Sequence, residues 1–434
     1  MRQPCLTYFA RKTGYSPNDK LSPFCPFRLT VFIKADSLRA VEKCTAKGDV
    51  AIAKQGNDMK IAYITTISPY DKYSWSGTNY YVRAALEARG CEVYCIYGYR
   101  KITLGMVFRK LWARLRRKNY QAIRSVASAK GWARHIERHL EQGTDAVLSL
   151  STIPIAYLKT DIPVFVYIDG CYEYMLGQGF NRLMNSLGEA HLIEQLAFGK
   201  CMNVFTPSFA SADAIVRHYG LGVKEKVKVI PLGANIDKIP TMAEVMDNIR
   251  RKDMSLCRIL FVGVDWKRKG ADIVLDAVRL LHESGFPVEL HLVGLRDVPA
   301  GLPSYVVNHG FISKMQVGGM DRLAGLYRDA HFLFVPSVGE AYGLVFCEAG
   351  AYGLPSISHA VGGIKTIIKN GVNGQLFDVG TPPQIFADYI KKVFLDAGYY
   401  ERLSISTYER FKEELNWDVS AAKIMRLMGV CTDK

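Results

Sequence analysis

From Met59 onward, short apolar runs rich in β-branched residues alternate with longer stretches whose apolar positions recur every three to four residues. The short runs predict buried strands and the longer ones amphipathic helices. Strands are expected over 60–67, 92–97, 146–150, 164–168, 203–207 and 227–231. A second series follows over 258–262, 288–293, 305–307, 332–336, 356–358 and 375–377. Helical patterns fill most of the gaps, for example 78–89, 210–218, 271–283 and 382–394. Strands alternating with helices of this length imply parallel sheets covered on both faces. Two such series imply an α/β protein of two doubly wound, Rossmann-like domains.

The joint falls near 233–256, a polar stretch after Pro231-Leu232-Gly233 and before a fresh strand. Residues 59–235 therefore form the first domain and 236–416 the second. Residues 1–58 carry Pro, Lys, Arg, Cys and Ser without either periodicity. They read as a poorly ordered extension or a start assigned too far upstream, with the domain beginning at Met59. In open α/β sheets ligands bind beyond the carboxyl ends of the strands. Two such domains facing each other enclose a cleft, which suits joining two substrates away from water.

Composition narrows this little. The 434 residues are 49% hydrophobic and 22% charged, an ordinary globular balance. No run approaches the ~20 apolar residues of a membrane span, and the N-terminus lacks a secretory pattern, so a cytoplasmic location is expected. The ten cysteines include no C-x-x-C pair and read as reduced structural thiols. The net charge of +15 admits nucleic acid, anionic membrane or anionic small substrates. No nucleic-acid-binding motif accompanies it, so nucleic acid is set aside. No G-x-G-x-x-G follows the first strand, which argues against a dinucleotide-dependent dehydrogenase. His135 and His139 share one helix face but lack the glutamate placement of a zinc protease, and read as a solvated face. Residues 108–118 are basic, with Phe108, Leu111, Trp112 and Leu115 in one stripe. That is the make-up of a helix drawn to anionic lipid, or of a core-packed helix with a basic outer face.

The chemistry concentrates in Gly339-Glu340-Ala341-Tyr342-Gly343-Leu344-Val345-Phe346-Cys347-Glu348. A strand ends just before it and a helix is expected to start near Gly343. Its first backbone N–H groups suit a phosphate, and a glycine lets an anion approach closely. Glu340 lies in the turn and Glu348 in the helix, where both can face one ligand. A carboxylate accepts well from paired sugar hydroxyls. Glu348 is flanked by Phe346, Cys347, Ala349 and Ala351, so it requires a partner.

This segment resembles the signature of glycosyltransferase family 4, retaining GT-B enzymes with two glutamates separated by seven residues. Further matching residues are Gly353-Leu354-Pro355, Val361-Gly362-Gly363, Asn370-Gly371-Val372-Asn373-Gly374, Ile230-Pro231-Leu232-Gly233, Arg268-Lys269-Gly270 and Trp75-Ser76-Gly77-Thr78. The resemblance spans about Met59 to Met428. It implies a GT-B fold and transfer of a sugar from a nucleoside diphosphate sugar to a glycan, lipid-linked or small-molecule acceptor. It further implies that Glu348 binds the ribose hydroxyls, that Glu340 lies at the donor sugar, and that Lys269 neutralises the diphosphate with the amides of Gly343, Leu344 and Val345. Gly77 and Thr78 would lie at the donor, and residues 417–430 would cross back to the first domain. Two positions depart from the family. Val264 follows Gly263 where an arginine is common, so Arg268 or Lys267 would supply that cation. Asp169 stands where many members carry a histidine near the donor sugar, and is expected to take a catalytic place there. No D-x-D occurs, so no metal or other cofactor is expected. A sugar-nucleotide epimerase, a glycan synthase and a catalytically silent binding subunit are the alternatives. Acceptor dependence and donor hydrolysis by Glu340→Gln separate them.

Overall fold

A computed structural model of the chain describes residues 54–55, 59–99, 104–115, 122–180, 187–296 and 298–431. The strands are β1 (Lys54–Gln55), β2 (Lys60–Ile64), β3 (Glu92–Ile96), β4 (Ala146–Ser149), β5 (Val164–Tyr167), β6 (Asn203–Thr206) and β7 (Val227–Val229). They continue with β8 (Cys257–Val262), β9 (Val288–Val293), β10 (Val306–Asn308), β11 (Phe332–Phe334), β12 (Ser356–His359), β13 (Gly374–Phe377) and β14 (Val430–Cys431). Each of the twelve strands expected from the pattern is present, with ends shifted by a few residues.

The N-terminal lobe holds a six-stranded sheet of order β3-β2-β4-β5-β6-β7, and the C-terminal lobe one of order β10-β9-β8-β11-β12-β13. All their pairings are parallel. Burial on both faces explains the unbroken apolar runs. In β2, Ile61 and Tyr63 pack into one core and Ala62 and Ile64 into another, each fully buried.

The order in each sheet reverses next to its first strand. In the N-terminal lobe β2 lies between β3 and β4, and in the C-terminal lobe β8 lies between β9 and β11. Loops leaving such neighbours part company and open a crevice at their carboxyl ends.

The crossover tail is the helix Trp417–Leu427, started by an Asn416 cap on the Val419 N–H. It returns to the N-terminal lobe, where Arg89 pairs with Asp418 at 2.9 Å and Ser420 Oγ donates to the Pro231 carbonyl at 2.6 Å. One boundary is corrected. Lys54–Gln55 pairs in parallel with Val430–Cys431, so structure begins ahead of Met59. A two-residue strand has no periodicity by which to be found. The rest of the segment 1–58 lies outside the described residues. No helix among the described residues is long and apolar enough to cross a membrane.

Candidate functional site

The strand ends of both lobes line one cleft of about 810 Å³. Thr65 after β2, Ser151 after β4 and Asp169 after β5 form part of its N-terminal wall. Gly263 after β8, Gly294 after β9 and the turn at Glu340 after β11 form part of the opposite wall. The two crevices thus open onto each other.

Glu348 sits in the second turn of the helix Leu344–Gly350 and is 4% exposed. Its oxygens have separate partners. Oε1 accepts from Lys314 Nζ, and Oε2 accepts from the Tyr327 hydroxyl at 3.0 Å. Lys314 Nζ also donates to the Asn235 carbonyl at 3.0 Å, at the joint between lobes. The buried carboxylate therefore has the partners its apolar flanks demanded. Neither Lys314 nor Tyr327 belongs to a recognisable motif, so neither is legible as a partner in the sequence. Glu348 and Lys314 line the cleft.

Glu340 is 8% exposed and sits among cations. Lys269 Nζ donates to its Oε2, and Arg268 NH1 reaches the same oxygen at 3.3 Å and the Gly339 carbonyl at 3.0 Å. The side chains of Lys269 and Arg268 are 11% and 19% exposed. Lys267 points elsewhere: it is exposed and pairs with Asp272 at 2.7 Å. Of the two candidates to replace the family arginine, only Arg268 faces the cleft. The three groups carry one net positive charge, because two cations share one carboxylate.

The backbone around Glu340 is clamped. Its N–H donates to Gln178 Oε1 at 3.0 Å, and the Ala341 carbonyl accepts from the Tyr174 hydroxyl at 3.0 Å. Both clamps come from the N-terminal lobe. Below the turn, Gly362 has φ +46, and a Cβ there would stand 1.9 Å from the Glu340 carbonyl oxygen. Only glycine fits that approach. Gly362→Ala is expected to displace the turn and lower stability by about 2 kcal/mol or more, measurable by urea unfolding.

Gly343 caps the helix with φ +109 and no side-chain cap. A Cβ there would lie 2.8 Å from Phe346 Cδ2. Gly343, Leu344 and Val345 all line the cleft, so the helix start faces it as expected.

Asp169 also lines the cleft. Trp75 Nε1 donates to its Oδ2, while Oδ1 is shut off from water and accepts no hydrogen bond among the described residues. Burial raises its pKa to about 6; the Trp75 hydrogen bond opposes this and the nearby Glu340 charge adds to it. A carboxyl with a raised folded pKa stabilises the fold below its unfolded value near 3.8 relative to higher pH. That advantage is lost as pH rises through about 6. Asp169→Asn should therefore be more stable than the parent at pH 7, by up to about 3 kcal/mol. The gap should close near pH 4, as denaturation at both pH values will register.

The loop holding Asp169 is itself unusual. Trp75 and Ser76 adopt left-handed backbone with φ 50 and φ 54, without being glycine. Such conformations cost of order 1–3 kcal/mol each and persist where the surroundings enforce them. Here the Trp75 hydrogen bond to Asp169 and the Asn235 side chain on the Ser76 carbonyl at 2.7 Å hold the loop. Gly77 and Thr78, expected at the donor, are buried directly behind this loop. Thr78 begins the helix Thr78–Ala88, which turns its side chain into the core, and neither residue lines the cleft. Trp75, Ser76 and Asn79 do.

The remaining motifs fall outside the cleft. The His135 and His139 rings lie 4.3 Å apart, tilted by 44°, on the helix Val126–His139, with His139 exposed. The described cysteines are free thiols. Among the described residues, no group of three or more His, Cys, Asp or Glu side chains is placed to hold a metal ion.

Comparison with known proteins agrees with this geometry. Residues 257–396 match the family model described as "Glycosyl transferases group 1". That span contains Lys269, Glu340 and Glu348. The D-inositol 3-phosphate glycosyltransferase of Xylanimonas cellulosilytica is 29% identical over 242 residues, covering 51% of this chain and 55% of that protein. The chain spans about half the length of the first curated relatives it matches. The fold is similar to that of sucrose-phosphate synthase from Thermosynechococcus elongatus, with a TM-score of 0.60 at 19% identity over 85% of this chain and 98% of that one. It is also similar to Anabaena HepE in complex with UDP and glucose, with a TM-score of 0.56 at 15% identity over 85% and 98%. The chain has the GT-B architecture, and residues 257–396 of its C-terminal lobe are similar to the glycosyl transferases group 1.

Proposed function

We propose that the protein transfers a sugar from a nucleoside diphosphate sugar to an acceptor held on the N-terminal wall, retaining the anomeric configuration. One observation carries this reading. A buried carboxylate, Glu348, faces the cleft at the switch point of the C-terminal sheet, and the cation pair Lys269 and Arg268 lines the same cleft. A carboxylate held in that way suits two vicinal hydroxyls, as on ribose. Fixed cations and the amide end of the helix at Gly343 suit a diphosphate. UDP and glucose in the Anabaena HepE complex support the same assignment.

In the reaction the bond from sugar C1 to the diphosphate breaks, its electron pair staying on the phosphate oxygen. The acceptor oxygen bonds to C1 and its hydroxyl proton is released. Charge grows on the departing diphosphate, and Lys269 and Arg268 stabilise it there. The diphosphate competes with Glu340 for these cations, so donor binding frees Glu340 towards the sugar hydroxyls. Asp169 lines the opposite wall of the cleft, facing the same sugar position. Because the cationic role falls on side chains, turnover should be unchanged by excess chelator; a loss restored by added magnesium contradicts this. Retention is read from the anomeric signals of the product by proton NMR.

The helix Leu104–Leu115 adds a location. Phe108, Leu111, Trp112 and Leu115 are 69%, 57%, 57% and 77% exposed. The stripe is therefore not core-packed, which favours the interfacial reading of 108–118; residues 116–118 lie outside the described residues. With Arg109, Lys110 and Arg114 in the same helix, the fitting partner is an anionic bilayer surface. Flotation with vesicles containing phosphatidylglycerol should capture the protein at low salt. Replacing Phe108, Leu111 and Leu115 together by serine should release it, and capture unchanged by that replacement rejects the idea.

A further inference from the structure

Arg124 closes the short turn Ala122–Arg124, ahead of the helix Val126–His139, and lines the N-terminal wall of the cleft. Its guanidinium stands 5.6 Å from the centre of the Tyr172 ring. None of its N–H groups meets an acceptor among the described residues.

Glu194 is the opposing charge that acts most on Arg124, but its oxygens are bonded elsewhere. Its two oxygens accept from the Tyr172 N–H at 2.9 and 3.1 Å, and Oε2 also accepts from the Tyr219 hydroxyl at 2.5 Å. Glu194 offsets the charge of Arg124 while leaving its donors unspent. Burial lowers the guanidinium pKa, with Glu194 and Tyr172 opposing. A cation taken partly out of water with unused donors is costly unless a ligand completes it.

Resting on the transferase reading above, we propose that Arg124 recognises a phosphate carried by the acceptor. The planar fork of a guanidinium matches two oxygens of such a group at once. Arg124 belongs to the N-terminal wall, whereas the donor cations Lys269 and Arg268 belong to the other lobe. The phosphate it takes is therefore distinct from the donor diphosphate. It can come from a soluble sugar phosphate or from a lipid headgroup. The exposed helix Leu104–Leu115 ends only seven residues before Ala122, so both sources are tested.

The full chain and its Arg124→Gln and Arg124→Lys variants are titrated with glucose 6-phosphate and with glucose, with and without UDP. Flotation with and without phosphatidic acid forms the lipid arm. Matching thermal melts establish that the variants are folded. The parent should bind one phosphate-bearing probe at least about tenfold more tightly than its neutral counterpart. Arg124→Gln should erase that preference and Arg124→Lys should keep part of it. A preference confined to glucose 6-phosphate identifies a soluble source, and one confined to phosphatidic acid a lipid source. No preference in either arm, or a preference that survives Arg124→Gln, overturns the proposal. UDP affinity should be equal in the parent and Arg124→Gln. Failure of the parent to bind UDP or another nucleoside diphosphate counts against the donor reading alone, because the phosphate arms are also read without nucleotide.

Discussion

Glu348→Ala is expected to weaken nucleoside diphosphate binding by about two to four orders of magnitude. Hydrogen bonds to a charged group contribute about 1.5–3 kcal/mol each, and a ribose offers two hydroxyls to one carboxylate. The loss should appear in calorimetric titration as a change in affinity, whichever sugar the donor carries. The same substitution leaves the buried Tyr327 hydroxyl without its acceptor, costing about 1–3 kcal/mol of folding stability. Lys314 is better protected, since the Asn235 carbonyl still accepts from it. Glu348→Gln keeps one carbonyl oxygen and should fall between parent and alanine in both measurements. Nucleotide affinity unchanged in Glu348→Ala removes this residue from the site.

Lys269→Ala is expected to lower kcat about 100- to 1000-fold, the range seen when one preorganised charge stabiliser is removed from a dry site. Folding is a separate matter. Lys269 is one of two cations on Glu340, so its loss leaves Arg268 as partner at 3.3 Å. The expected destabilisation is about 2 kcal/mol, below that of a fully orphaned buried charge. The double variant Lys269→Ala with Glu340→Gln discriminates the two roles. It should recover much of the stability, because no carboxylate is left short of a partner, and none of the turnover. Recovery of turnover in the double variant shows that Lys269 only serves to neutralise Glu340.

The legibility of the chain in its sequence follows from local physics. Strands buried on both faces leave continuous apolar runs, so β2, β8 and β11 are readable without a partner in view. The helix around Glu348 is readable for the same reason, as a lone carboxylate in an apolar stretch signals a requirement. What satisfies that requirement is not local. Lys314 lies 34 residues away and Tyr327 21 residues away, joined to Glu348 only by the fold. The neighbouring cations Lys267, Arg268 and Lys269 look equivalent in sequence. Their helical phase sends Lys267 outward to Asp272 and the other two to Glu340. Adjacency to the Trp75–Ser76 loop likewise says nothing of which side chain the helix start turns inward, and Thr78 is buried there. Arg124 belongs to no motif, and only the cleft wall makes it visible.

The central claim is that the cleft holds a nucleoside diphosphate sugar against Glu348 and the cations Lys269 and Arg268. Its most direct test is a thermal shift panel of UDP-, GDP- and ADP-sugars on the parent and on Glu348→Ala. A donor present at ~100 times its dissociation constant stabilises the fold by about 2.7 kcal/mol. A nucleoside diphosphate sugar site gives such a shift for donors of one base, lost in Glu348→Ala at the same concentration. Absence of a shift with every donor, or a shift that persists in Glu348→Ala, contradicts it.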